Sequence, residues 1–151
     1  MSAGRICSRI VVTATPAETI RTAAARMAEH DAGTLVVVDP EGTHAAVGIL
    51  TDRDITIRGV ATGLNLDGTP ISQLMTTPVH SVNEATPIEQ ALTRMANAAT
   101  RRLVVTGDEG RPVGILSLDD VLDLLGTELE SVGRLLEKQQ PHVHPERPVL
   151  V

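Results

Sequence analysis

Apolar residues recur at helical spacing in two stretches of the chain. In each stretch four apolar side chains follow the i, i+3, i+4, i+7 pattern: Ile20, Ala23, Ala24 and Met27 in the first, and Ile88, Ala91, Leu92 and Met95 in the second. This spacing places the four side chains on one face of a helix, which predicts two amphipathic helices, each with one buried face. The two quartets are offset by 68 residues, which indicates an internal repeat.

A short apolar run follows each predicted helix, at 35–38 and at 103–105. Short runs rich in valine and leucine are typical of buried strands. Each run is followed by a turn and then by a second apolar run, with the turns at 39–42 and 107–110 and the second runs at 47–51 and 113–117. The turns contain Pro, Gly and Asp, which favour a hairpin between the two strands.

The repeated unit is predicted to be β-α-β-β-α. Segments 10–13 and 79–82 supply the opening strands, and a second helix starts just after each hairpin. Each unit alone would bury too little surface to be stable, so an α/β fold is expected in which the two repeats pack as one pseudo-twofold module. The predicted boundaries are 8–64 for repeat 1, 65–77 for a connection with a short helical piece near 71–75, 78–126 for repeat 2, and 127–151 for a C-terminal helix and tail.

The C-terminal helix is predicted to begin at Thr127, because Gly126 is a typical helix stop and Thr127-x-x-Glu130 resembles a capping box. Apolar residues spaced alternately 3 and 4 apart run through this region, at Leu122, Leu125, Leu129, Val132 and Leu136. The glycines at 126 and 133 argue against a long coiled coil. The helix is expected to cover either a dimer contact or the module's own surface.

One short motif closes the last strand of each repeat. It begins with a glycine, Gly48 or Gly114, and ends with a hydroxyl residue and an aspartate three positions later: Thr51 with Asp54, and Ser117 with Asp120. At a strand-to-helix turn such a pair can hydrogen-bond a diol such as the ribose hydroxyls, and the helix N-terminus offers N–H groups to a phosphate. The glycine would let a ligand lie close to the backbone. The same spacing is also that of a capping box, which needs no ligand.

The repeat and its two motifs resemble a tandem pair of cystathionine-β-synthase-type (CBS) domains, the Bateman module, over about residues 8 to 126. The segments 50–63 and 74–76 are similar to stand-alone bacterial two-repeat proteins of this family. The resemblance implies a regulatory protein, in which Thr51 with Asp54 and Ser117 with Asp120 each hold the ribose of an adenosine ligand. AMP, ADP, ATP and S-adenosylmethionine are the ligands it implies, with no required cofactor. It also implies a homodimer and a separate effector protein that reads the bound state.

The resemblance also implies positions for the base and the phosphates. The base would lie against the start of each repeat, at Val12, Thr13, Pro78, Val79 and His80, and phosphate would be met by Arg53, Arg101 and Arg102. The first repeat has Gly33 and Thr34 where the second has the arginine pair, and Asp119 stands where the first motif has Arg53. The two clefts are therefore expected to differ in affinity or in the charge of their ligand.

Composition and charge exclude several classes of protein. The chain has 151 residues and no Phe, Tyr or Trp, so aromatic stacking cannot underlie a nucleic-acid site. Its 13 basic and 19 acidic residues give a net charge of −6, which argues against nucleic-acid partners and an anionic membrane surface. No segment reaches the roughly 18 apolar residues of a membrane span, and residues 1–9 lack the apolar run of a secretory signal. A cytoplasmic protein is expected.

The remaining chemistry-bearing residues have simpler interpretations. Asp52 and Asp54 lack a nucleophile or positioned base beside them, so no enzyme is predicted. His142 and His144 form a His-x-His without further ligands at metal spacing, and no metal site is predicted. Cys7 is interpreted as a small buried residue or a free thiol, with an intermolecular disulfide as the alternative. The alternative to ligand sensing is a ligand-independent interaction module whose motifs act only as helix caps.

Overall fold

The computed structural model describes residues 1–139. The first repeat contains β1 (Thr13–Ala14), α2 (Ile20–Glu29), β2 (Thr34–Val38), β3 (Ala46–Thr51) and α3 (Asp52–Asp54), preceded by α1 (Ala3–Ile6). A π-helical stretch (Ile55–Val60) extends α3, and a 3-10 turn (Ile71–Gln73) follows. The second repeat contains β4 (Ser81–Asn83), α4 (Ile88–Asn97), β5 (Arg102–Thr106), a 3-10 turn (Asp108–Gly110), β6 (Pro112–Ser117) and α5 (Leu118–Gln139).

Each repeat forms its own three-stranded sheet, with the strand order β1-β2-β3 in one and β4-β5-β6 in the other. The first two strands of each sheet are parallel and are joined through a helix, whereas the last two form an antiparallel hairpin. Glycines with left-handed φ, Gly42 at 71° and Gly110 at 74°, lie in the two hairpin turns. The predicted α/β architecture of two β-α-β-β-α repeats is confirmed.

The two sheets pack against each other through one face and against helices through the other. Successive side chains of a strand point to opposite faces. In β2, Leu35 and Val37 accordingly join the core beneath α2, while Val36 meets Val104 of β5 in a cluster between the sheets. All four side chains are fully buried. This shared layer brings the carboxyl ends of the last strands of both repeats to the interface between them.

The segment that leads into each repeat packs on the other repeat. Ala3 and Cys7, at the start of the chain, belong to the core of the second repeat, and Ser8 exchanges two backbone hydrogen bonds of 2.9 Å with Ile115. At the offset of 68 residues, Ile71 lies in the core of the first repeat, and Thr76 makes the matching pair of bonds with Ile49. The first helical segment is thus exchanged between the repeats, which the predicted boundaries did not anticipate.

Three predicted boundaries are corrected by the structure. The opening strands lie at 13–14 and 81–83 and not at 10–13 and 79–82, because Val11 and Val79 pack between the sheets instead of extending the strand ladders. The helix stop at Gly126 is wrong, since α5 runs without a break from Leu118 to Gln139. Thr127 is not its cap: the hydroxyl donates to the carbonyl of Asp123 at 3.0 Å, one turn back.

No helix within residues 1–139 has the length and apolar character needed to cross a bilayer.

Burial of Cys7 leads to a testable difference in thiol reactivity. The thiol is free and buried, and desolvation raises its pKa above the ordinary value. Because the thiolate is the reacting form, we expect the native chain to react with a thiol reagent at pH 8 about tenfold more slowly than the unfolded chain. A matched control carries Cys7→Ala with Arg5→Cys, which moves the thiol to an exposed position two residues earlier. Equal reaction rates for the native chain and this control would contradict the burial of the Cys7 thiol.

Candidate functional site

The first motif forms a complete capping box at the start of α3. The Thr51 hydroxyl and backbone N–H donate to the same carboxylate oxygen of Asp54, Oδ2, at 2.8 and 2.9 Å. In return the Asp54 backbone N–H donates to Thr51 Oγ1 at 3.1 Å. Two of these three bonds satisfy backbone N–H groups that the start of the helix would leave unpaired.

The second motif repeats this arrangement at the start of α5. The Ser117 hydroxyl and backbone N–H each donate to Asp120 Oδ2 at 2.7 Å, and the Asp120 N–H donates to Ser117 Oγ at 3.1 Å. Both motifs therefore form complete capping boxes. Neither cap uses the second oxygen of its carboxylate, Oδ1. Capping consequently leaves one acceptor on each aspartate for another group.

The first motif opens into a cleft of about 440 Å³ between the repeats. Thr51, Asp54 and Arg53 come from the first repeat, and three residues that precede or begin β5 and β4 come from the second: Arg101, Arg102 and His80. A volume in this range is typical of small-molecule sites. Three arginines and one aspartate give the cleft a positive balance, which suits an anionic group.

The second motif opens into a smaller cleft of about 340 Å³. Ser117 and Asp120 of the second repeat face the loop after α2, which contributes His30 and Asp31, and Arg102 reaches this cleft as well. Of the predicted residues, Val12 also lines it. Two carboxylates and one guanidinium give this cleft a negative balance, opposite to that of the first.

The charge next to the second motif is partly neutralised by a contact that the sequence did not indicate. Arg101 Nη2 lies 3.5 Å from Asp119 Oδ1, and both side chains are about 70% exposed, at 73% and 70%. Near the first motif, Arg58 Nε lies 3.5 Å from Asp54 Oδ1. Because both side chains of the Arg101–Asp119 pair are exposed, this pair contributes little to stability, and Arg101 can turn toward a ligand. Asp54 is only 14% exposed, and Arg58 also donates to the carbonyl of Leu74 at 3.0 Å.

The structure brings most, but not all, of the predicted site residues together. Among the residues it describes, Thr13, Pro78 and Val79 line neither cleft: the Thr13 carbonyl accepts a bond from Arg26, and Val79 packs between the sheets. Sequence reasoning missed the other lining residues, which are Ile49, Thr76, Ala99 and Thr100 in the first cleft and Ser8, Ile10, His30, Asp31, Ala32, Gly33, Thr34 and Ile115 in the second. The 68-residue offset could have indicated the loops, because 31–34 and 99–102 are equivalent.

The motif glycines serve packing and not access for a ligand. A Cβ added at Gly48 would lie 2.7 Å from Met75 Sδ, and one added at Gly114 would lie 2.5 Å from Cys7 Sγ. Both partners belong to the exchanged leading segments described above. The expectation that these glycines let a ligand approach the backbone is therefore wrong, since protein side chains already occupy the space.

Metal chemistry has no visible site in the described part of the chain. Within residues 1–139, no group of three or more His, Cys, Asp and Glu side chains is placed to hold a metal ion. His142 and His144, which the sequence singled out, lie outside the described residues.

Comparison with known proteins identifies the repeated unit. The family model of the CBS domain matches twice, at residues 3–59 and 71–127. A CBS domain-containing protein of Bacillus subtilis is 40% identical over 112 residues, which is 74% of this chain and 76% of the relative. An uncharacterized protein of Methanopyrus kandleri is 33% identical over 124 residues, and the match spans 82% of this chain but only 62% of that relative's length.

Solved structures with the same fold include proteins with bound ligands. A CBS domain protein of Pyrobaculum aerophilum complexed with AMP is 29% identical, with a TM-score of 0.71 over 80% of this chain and 89% of that one. The CBS domain pair of protein MJ0100, in complex with 5′-methylthioadenosine and S-adenosylmethionine, is 27% identical, with a TM-score of 0.73 over 85% and 98%. Hypoxic response protein I, solved with two coordinated zinc ions, is 32% identical, with a TM-score of 0.70 over 82% and 98%. This chain belongs to the CBS domain family and carries two copies of the domain.

Proposed function

We propose that this protein is a regulatory sensor of adenosine-containing ligands, in which Thr51 with Asp54 and Ser117 with Asp120 bind ribose. The observation that carries the proposal is the composition of the first cleft. A helix cap needs only its own residues, yet Arg101 and Arg102 of the other repeat lie in the same cleft as the capped Asp54. Solved members of the family bind AMP, methylthioadenosine and S-adenosylmethionine, which supports this ligand class.

The two clefts are proposed to bind ligands of different charge. The first, with Arg53, Arg101 and Arg102, suits the phosphates of AMP, ADP or ATP, whereas Asp31 and Asp120 of the second suit S-adenosylmethionine, which carries a positive sulfonium. Each cleft takes side chains from both repeats, so a bound ligand favours one packing of the repeats over others. A partner protein that recognises that packing then receives the signal.

Calorimetric titration with AMP, ADP, ATP and S-adenosylmethionine tests this proposal. We expect Arg53→Ala, which changes the first cleft alone, to weaken binding of the phosphorylated ligands about tenfold, the cost of one charge-assisted hydrogen bond. Binding of S-adenosylmethionine should be unchanged. Arg94→Ala is the matched control, because Arg94 lines a separate hollow beside α4 that contains neither motif. Absence of heat and of thermal stabilisation with all four compounds would overturn the proposal.

A second candidate function is a ligand-independent interaction module. It is favoured by the completeness of both capping boxes, whose bonds need no ligand. In that case, replacing Asp54 or Asp120 by alanine lowers the stability of the fold by the same amount with and without added nucleotide. The chain without nucleotide also retains a partner protein in a pull-down. Loss of that partner on adding nucleotide would instead support the sensor.

A further inference from the structure

A hollow of about 470 Å³ lies between α4 and β4 in the second repeat. It is larger than either ligand cleft and shares no lining residue with them. Its lining is polar apart from one valine and includes three amides, Asn83, Gln90 and Asn97. Arg94 is the one charged residue among the described residues that line it. The hollow therefore has a positive balance, with no carboxylate in its lining to neutralise it.

The first repeat shows which group lies beside this arginine when the place is filled. At the offset of 68 residues Arg94 corresponds to Arg26, which contacts both carboxylate oxygens of Glu18. Arg26 Nη1 donates to Oε1 at 3.0 Å, and Nη2 lies 2.8 Å from Oε2. The Thr15 N–H and hydroxyl also donate to Oε1, at 2.8 and 3.3 Å. The first repeat thus holds a carboxylate here, and the Glu18 side chain is only 18% exposed.

The second repeat keeps the arginine and the backbone turn but lacks the carboxylate. Thr86 stands at the position of Glu18 and lines the hollow. The same backbone bond closes the turn in both repeats. The Glu18 N–H donates to the Thr15 carbonyl at 3.1 Å. The Thr86 N–H donates to the Asn83 carbonyl at 2.9 Å. Within residues 1–139 the Arg94 side chain makes no hydrogen bond or ion pair, so the hollow lies where the first repeat holds its carboxylate.

We propose that this hollow binds a small organic carboxylate that also carries hydroxyl groups, with Arg94 pairing with the carboxylate. The guanidinium can meet both carboxylate oxygens at once, as Arg26 does, and such charge-assisted pairs are strong. The amides of Asn83, Gln90 and Asn97 can donate to and accept from the ligand's hydroxyl groups. The volume is in the range of small-molecule sites. Neither hydroxyl–aspartate motif contributes to this hollow, so the site does not rest on the proposed function.

The first test is calorimetric titration of the full chain with gluconate and glycerate at constant ionic strength. We expect saturable binding of at least one of them, and none of sorbitol or glycerol, which carry hydroxyls without the carboxylate. Arg94→Ala should weaken that binding about tenfold. The matched control is Arg134→Ala, an exposed arginine of α5 that lines none of the cavities described and should leave the affinity unchanged.

Three results of this titration would overturn the proposal. The first is that the unchanged chain binds neither carboxylate. The second is that Arg94→Ala binds them with unchanged affinity. The third is that inorganic phosphate, which has no hydroxyl-bearing carbon chain for the amides to meet, binds as tightly as the carboxylates.

The second test fills the hollow from within the chain. Thr86→Glu supplies the carboxylate that Glu18 supplies in the first repeat, so Arg94 gains a partner. We expect this variant to bind neither carboxylate and to melt about 2–4 °C higher than the unchanged chain without ligand. Thr43→Glu adds the same charge at an exposed position outside the hollow and should keep the binding. Binding retained by Thr86→Glu would show that the compounds lie elsewhere and would refute the site.

Discussion

Replacement of Gly114 by alanine is expected to lower the free energy of unfolding by about 3 kcal/mol, at the upper end for an overpacked site. The added Cβ would lie 2.5 Å from Cys7 Sγ and 2.9 Å from the carbonyl oxygen of Ser8. The sulfur can move to another position, but the Ser8 carbonyl accepts the 2.9 Å hydrogen bond from Ile115. The strand and the leading segment must therefore separate, which disrupts the pairing that joins the first residues to the second repeat.

The control is the same substitution at Gly126, where an added Cβ would have nothing within 4 Å. In this helical position alanine should raise the free energy of unfolding by up to about 1 kcal/mol. The free energy of unfolding of both variants is measured by urea unfolding followed by circular dichroism, since the chain has no aromatic residue for fluorescence. Combining Gly114→Ala with Cys7→Ala should restore part of the loss. Equal stability of Gly114→Ala and the unchanged chain would disprove the packing role of this glycine.

Replacement of Asp54 by alanine should weaken binding of a phosphorylated adenosine ligand about a hundredfold. The proposed role of this carboxylate is to accept hydrogen bonds from the ribose hydroxyls in the first cleft. Hydrogen bonds to a charged group contribute about 1.5–3 kcal/mol each to binding. The same change also removes the helix cap formed with Thr51, which should cost about 1 kcal/mol of stability with no ligand present. Titration calorimetry measures the first effect, and unfolding without ligand measures the second.

Asp120→Ala is the matched variant, because Asp120 forms the same cap in the other cleft. It should lose the same stability and retain its affinity for the phosphorylated ligand. If replacing either aspartate lowers stability but leaves ligand affinity unchanged, the motifs are only helix caps and the sensor proposal fails. If both weaken the phosphorylated ligand equally, the two clefts do not differ in the way that their charges suggest.

The helices and hairpins were predictable from the sequence because their signals are local. Ile20, Ala23 and Met27 repeat at the helical period, and each is buried on the inner face of α2. The run at 35–38 is apolar throughout because β2 is buried on both faces, beneath α2 and between the sheets. The hydroxyl–aspartate motifs were found for the same reason, since their partners lie three residues apart.

The arrangement of the clefts was not predictable from local pattern. Arg101 precedes β5 and Arg102 begins it, and nothing in their own segment indicates that they lie across the interface from Asp54 in the other repeat. That proximity results from the packing of Val36 against Val104, which only the folded pair of sheets establishes. The leading segment was missed because α1 has four residues and its partners are far away in sequence.

The exchanged leading segment has a consequence for the order of folding. The core of the first repeat is drawn from residues 14–74, one continuous stretch that is complete as soon as it has been synthesised. The core of the second repeat combines Ala3 and Cys7 with residues 82–121. Ala3 and Cys7 are therefore synthesised early, but the residues they pack against are present only when nearly the whole chain has been made. Contacts this distant in sequence form slowly, so the first repeat is set to fold first and the docking of α1 to come last.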